Sequence, residues 1–174
     1  MLKRIAIASL AAILITPTLA LGQTRSRSTR AKPAQKTTTQ TASAARTAGA
    51  TRVADQIKLM TKFIYLLGGV ASGIAAVDEA VRRNEASPEL VTRNQQSKVT
   101  VRTSIQGFRE ALDKLETDFR ATPDLQPYYI KLAGSAAGAA TAEEQAAAKQ
   151  FDASGRTLLT VINRLTDVLV IMRQ

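Results

Sequence analysis

From Val53 onward, apolar positions recur at alternating steps of four and three: Val53, Ile57, Met60, Ile64, Leu67, Ala71 and Ile74, then Asp78 and Val81. This is the seam spacing of a helix packed against another helix, and only Asp78 breaks the apolar series. A neighbouring stripe of Leu59, Phe63, Leu66, Val70, Gly73 and Val77 makes the middle of the segment apolar nearly all round, which predicts burial on several sides. The segment is expected to end near Asn84, with Arg82 and Arg83 in the last turn, where the helix dipole favours cations.

Ser87 followed by Pro88 reads as an N-cap and a first-turn proline. Beyond them Leu90, Asn94, Ser97, Val101, Ile105, Phe108, Leu112, Leu115 and Phe119 lie on one face of a second helix. Arg109 with Asp113, Glu110 with Lys114, and Glu116 with Arg120 are each four apart and mark its expected solvated side. Pro123 closes the segment, and Leu125 with Tyr128 to Leu132 predicts a short helix in the connection that follows. Thr141 with Glu144 fits a capping box at the start of a third long segment, whose apolar face is Ala147, Phe151, Leu158, Ile162, Leu165, Val168 or Leu169, and Met172. Gly155 beside Ser154 is the expected bend in it.

Segments of matched length joined by a short loop pack side by side and antiparallel. No alternating run with turn chemistry supports a strand. The expected fold is all-α: an elongated antiparallel up-down-up three-helix bundle over residues 53–174, with the short extra helix in the second connection.

A hairpin folded near residue 86 brings Asp78 opposite Asn94, with Ser97 and Lys98 within a turn. A buried carboxylate needs a partner or solvent, so Asp78, Asn94, Ser97 and Lys98 form a candidate polar seam. It reads either as a polar contact that sets register or as a small pocket for ligand or proton chemistry. The second feature is GGVASG, residues 68–73, which puts Gly69 and Gly73 in the small-xxx-small spacing of closely approaching membrane helices. The uncharged run Phe63 to Val77 spans ~22 Å, short of a ~30 Å hydrocarbon core, and favours a buried soluble helix over a membrane span.

The first 22 residues add a short basic start, an apolar run from Ile5 to Ile15, and Pro17 followed by small residues. That is the layout of a signal peptide; an uncleaved inner-membrane anchor and a mitochondrial transit peptide are the alternatives. Residues 23–52 hold seven cations, Arg25, Arg27, Arg30, Lys32, Lys36, Arg46 and Arg52, and no acid. With hardly any large apolar side chain, they are expected to be a disordered basic arm and a candidate electrostatic tether.

Charge changes the picture once it is located. The chain has 24 Lys and Arg against 14 Asp and Glu, a net of +10, yet beyond residue 52 the 15 cations nearly balance all 14 acids. The basicity belongs to the leader and arm, not to a face of the fold. The arm contains no aromatic residue to stack on bases, so sequence-specific nucleic-acid binding is not expected.

With no His and no Cys among 174 residues, disulfides, thiolate or imidazole metal sites and histidine-dependent nucleophile systems are excluded. No cofactor is expected; carboxylate or lysine chemistry is what is left for catalysis, no motif supports either, and Asp78 is the candidate residue. The expectation is a non-enzymatic, periplasmic or secreted protein that acts by contact, as an adaptor, chaperone-like or structural envelope component. Its expected partners are an anionic envelope surface or polymer, held weakly by charge, and a protein partner or a second copy. The alternative is a membrane protein, anchored by an uncleaved leader and self-associating around Gly69 and Gly73.

Overall fold

The computed structural model of the chain describes residues 35–174, with side chains from residue 41. The described residues are helical apart from the connections between helices, with no strand. They form α1 (Gln35–Arg82), α2 (Pro88–Ala121), α3 (Gln126–Leu132), α4 (Ser135–Ala147) and α5 (Phe151–Met172).

Helix α1 starts 18 residues before Val53, inside the stretch expected to be a disordered arm. Alanine, threonine and glutamine permit helix there, and a glycine supplies the reason for docking. A Cβ at Gly49 would stand 3.0 Å from a Leu125 methyl and 3.1 Å from the Met172 terminal carbon, so its absence lets the connection and the end of α5 close on α1. Gly49 and Val53 are buried. Residues 23–34 of the expected arm and the whole leader lie outside the described residues.

The first hairpin forms where expected. Asn84 adopts a left-handed φ of 57°, and the Asn84 and Glu85 amides donate to the Val81 and Ala80 carbonyls, closing α1. The Ser87 hydroxyl accepts the Leu90 amide at 3.4 Å and Pro88 opens α2. Arg52 pairs with Asp118 at 2.6 Å, Phe63 meets Phe108 edge-on at 5.2 Å, and Asp78 meets Asn94, so the two helices run antiparallel in one register.

The third rod is not one helix. Four helices of 13 residues or more, not three, build the body, because Lys149 takes a left-handed φ of 63° and the chain reverses between α4 and α5. The Lys149 and Gln150 amides donate to the Ala146 and Gln145 carbonyls, the same closing pattern as at Asn84. Ala139, Ala142 and Ala146 are buried along α4, and these short side chains allow close approach to both neighbours. The Ser154 hydroxyl, fully buried, donates to the Ala142 carbonyl at 2.8 Å, and Thr157 donates to the Gln145 side chain at 2.8 Å, fastening the pair.

Packing runs from α1 to α2, α2 to α4, α4 to α5 and α5 back to α1, a closed ring of four antiparallel helices with α3 across the end next to α2 and α5. The core is threaded by Val53, Met60, Leu67 and Ile74 of α1, Ile105, Leu112 and Phe119 of α2, and Leu158, Leu165 and Val168 of α5. Gly155 is a contact, not a bend: α5 continues through it, and the missing Cβ would lie 3.5 Å from Leu67. Thr141 is likewise inside α4, its hydroxyl donating to the Ala137 carbonyl, and caps nothing.

The expected solvated side of α2 is partly covered by α4. Arg109 reaches Glu143 at 2.9 Å instead of Asp113, and the Glu116 carboxylate accepts the Ala136 amide at 2.8 Å, satisfying a donor in the first turn of α4. Glu110 accepts from Gln106.

Candidate functional site

Two features stand outside the plain packing of the bundle. The first is the polar break in the α1 seam. Asp78 Oδ1 accepts from Asn94 Nδ2 at 2.7 Å and from Lys98 Nζ at 2.5 Å. Asn94 is buried, and the Lys98 side chain is only 15% exposed, so neither donor is freely hydrated. Burial pushes the Asp78 carboxyl up, but the Lys98 hydrogen bond and charge, the Asn94 hydrogen bond and the Lys149 charge together hold it below its ordinary value. Lys149 belongs to the α4–α5 turn, so this carboxylate ties the first hairpin electrostatically to the second.

Ser97, grouped with these residues by spacing, does not join them. Its hydroxyl donates to the Arg93 carbonyl at 3.1 Å and lines a groove between α1 and α2. The cluster is therefore Asp78, Asn94 and Lys98, with Lys149 added by the tertiary fold. A carboxylate held ionised by two donors is a weak base at neutral pH, which suits an electrostatic clip better than proton transfer. Among the described residues no three carboxylates converge to hold a metal ion.

The second feature is the outer face of α1. The stripe expected to be buried on several sides is in large part open to solvent: Leu59 and Leu66 are each 54% exposed and Val70 38%. The ring of helices gives the reason: α2 and α5 cover the Met60–Leu67–Ile74 side, and among the described residues no further helix covers the flank that carries Leu59, Leu66 and Val70. Tyr65 projects from this face with 85% of its surface exposed. A Cβ at Gly68, Gly69 or Gly73 would find nothing within 4 Å, so these glycines do not serve close packing inside the bundle.

Beside the face runs a groove of about 460 Å³, walled on the α1 side by Phe63, Leu66, Leu67 and Val70 and on the α2 side by Val101 together with polar residues that include Arg93, Gln96 and Ser97. Its hydroxyls are already engaged: Thr100 donates to the Gln96 carbonyl and Ser104 to the Thr100 carbonyl, as Ser97 does to Arg93. They leave acceptor lone pairs and carbon toward the groove, making it less polar than the sequence suggests. By length and composition alone, Thr41–Arg82 suffices to cross a membrane, and only 17% of its most apolar window is buried within the bundle.

Of the candidate tether residues, Arg25, Arg27, Arg30 and Lys32 lie outside the described residues, and Lys36 falls in the first turn of α1. Arg46 is exposed on α1. Arg52 is drawn into the fold by its pairing with Asp118, and its guanidinium lies 6.0 Å from the centre of the Phe119 ring. The tether reading is thereby restricted to the cations ahead of Arg52.

Compared with known proteins, the chain matches no protein-family model, no curated protein and no solved structure.

Proposed function

We propose that this is an exported, non-enzymatic protein that works by contact, with a helical bundle as its interaction module and the basic segment ahead of it as a tether to an anionic envelope surface or polymer. The observation that carries the contact reading is the set of exposed apolar side chains on α1, Leu59, Tyr65, Leu66 and Val70, beside a groove between α1 and α2. Apolar surface gathered on one helix marks an interaction site, whereas singly scattered residues need no explanation. The charge segregation supports the tether: Arg25, Arg27, Arg30 and Lys32 face no acid within their own segment.

Fractionation of native cells tests it. A salt wash at about 0.5 M, where the Debye length falls to about 4 Å, is expected to release the protein from the envelope. Deletion of residues 23–34 is expected to have the same effect without loss of helicity. Retention that ignores both manipulations removes the tether from the account.

A membrane reading is favoured by the mostly uncovered apolar window within Thr41–Arg82. It makes that helix a lipid-facing or self-associating element around Gly69 and Gly73. Alkaline carbonate extraction separates the readings, since release into the supernatant eliminates an integral membrane protein.

A further inference from the structure

We propose that the uncovered face of α1 is closed by a second copy of this chain, packed antiparallel about Gly68, with Phe63 of each copy seated over Gly73 of the other. The inference rests on the contact reading and names the occupant of that surface. The stripe Leu59, Phe63, Leu66, Val70, Gly73 and Val77 advances by four, three, four, three and four, with Leu59, Leu66, Val70 and Gly73 exposed and Phe63 and Val77 half-buried. Alternating steps of this kind are matched by the knobs and holes of another helix, a periodicity to which an extended acyl chain is indifferent.

The spacing is also the same read in either direction from Gly68. In an antiparallel pair crossing there, every stripe residue therefore meets a stripe residue: Leu59 meets Val77, Leu66 meets Val70, and the largest, Phe63, meets the smallest, Gly73. The space above Gly73, which lies on the stripe, is open to 4 Å and leaves room for the ring. Phe63 already has Phe108 against it edge-on at 5.2 Å, which fixes the ring that a second copy would receive. A parallel pair would instead set Phe63 on Phe63 and leave Gly73 facing Gly73.

Between Lys62 and Asp78 α1 carries no charge, so ~22 Å of that helix itself brings no ion into an interface, and Arg93 of α2 stands at the rim of the adjoining groove. From Leu59 to Val77 the stripe is ~27 Å long, and with α2 alongside at 8–10 Å it offers a footprint of roughly 500 Å² per copy. That is below the ~800 Å² per partner of a standard interface, so the dimer is expected to be reversible, with a Kd of order micromolar.

The absence of cysteine makes the arrangement testable on the full-length chain, because one substitution introduces the only thiol. Leu59→Cys and Val77→Cys chains, oxidised together, are expected to give a covalent dimer of twice the 18.6 kDa chain mass. Each alone should not, since like positions are then ~27 Å apart. Gly73→Leu, placed in open space, is expected to keep full helicity by circular dichroism while weakening dimerisation at least tenfold in sedimentation velocity. A native protein that stays monomeric at 100 μM overturns the proposal, as does cross-linking of either cysteine variant with itself or an undiminished Gly73→Leu dimer. Failure on these counts leaves the salt-wash test of the tether standing, so the two readings fall separately.

Discussion

Substituting alanine for glycine at two helical positions is expected to give opposite results, and the difference measures how tightly α4 packs on α5. Both changes gain about 0.5–1 kcal/mol from helix propensity, since alanine loses less backbone entropy than glycine. At Gly107 in α2 an added Cβ meets nothing within 4 Å, so Gly107→Ala should show that gain undiminished. At Gly138 in α4 the same carbon would lie 2.7 Å from Val161 Cγ2, about 1 Å inside ordinary carbon contact. Val161 is buried and β-branched, with one strongly preferred rotamer in a helix, so it cannot turn aside. Overpacking of this kind costs about 1–3 kcal/mol, which leaves Gly138→Ala about 0–2.5 kcal/mol less stable than the parent. Urea unfolding followed by circular dichroism at constant m reads the difference directly, and on heating each kcal/mol corresponds to about 3–4 °C. Stabilisation by Gly138→Ala equal to that by Gly107→Ala would refute the close α4–α5 hairpin, and with it the four-helix ring.

Three further outcomes follow from the same geometry. Asp78→Asn should lower stability by about 1 kcal/mol at pH 7, where the parent's carboxylate is ionised and paired with Lys98. Because the folded protein holds this carboxyl below its unfolded value, the contribution is complete above the unfolded pKa and lost as pH falls through the folded one. Parent and variant should therefore converge in unfolding experiments carried into strong acid, and a gap independent of pH would contradict the ion pair. Lys149→Gly should stabilise by about 0.5–1 kcal/mol, since the left-handed conformation at this position favours glycine over a residue with a Cβ; destabilisation would mean that the charge near Asp78 outweighs the backbone term. Phe119→Ala should cost about 3–5 kcal/mol in chemical denaturation, because the ring is fully buried and also carries Arg52 above it; a loss under 1 kcal/mol would place Phe119 outside the core.

Helix was legible wherever the cause is local. The steps of four and three from Val53 to Ile74, the Ser87–Pro88 start and the polar match of Asp78 with Asn94 all follow from side-chain period and cap chemistry along one stretch of chain. Lys98 was within reach of the same argument because it is one turn from Asn94, whereas Ser97 was drawn in by sequence proximity although the helix aims it elsewhere.

What the tertiary structure decided is which apolar faces are covered and where the third rod breaks. The reversal at Lys149 carries no glycine or proline signal; it is set by buried alanines that let α4 lie against α2 while α5 returns along α1. The docking of Gly49 needs Leu125 and Met172, residues 76 and 123 positions away in sequence, so no local pattern announces it. For the same reason the Leu59–Val77 stripe reads as core along the chain, yet Leu59, Leu66 and Val70 face water in space. Periodicity states that a helix side is apolar, and only the count and placement of neighbouring helices determines whether this chain covers it.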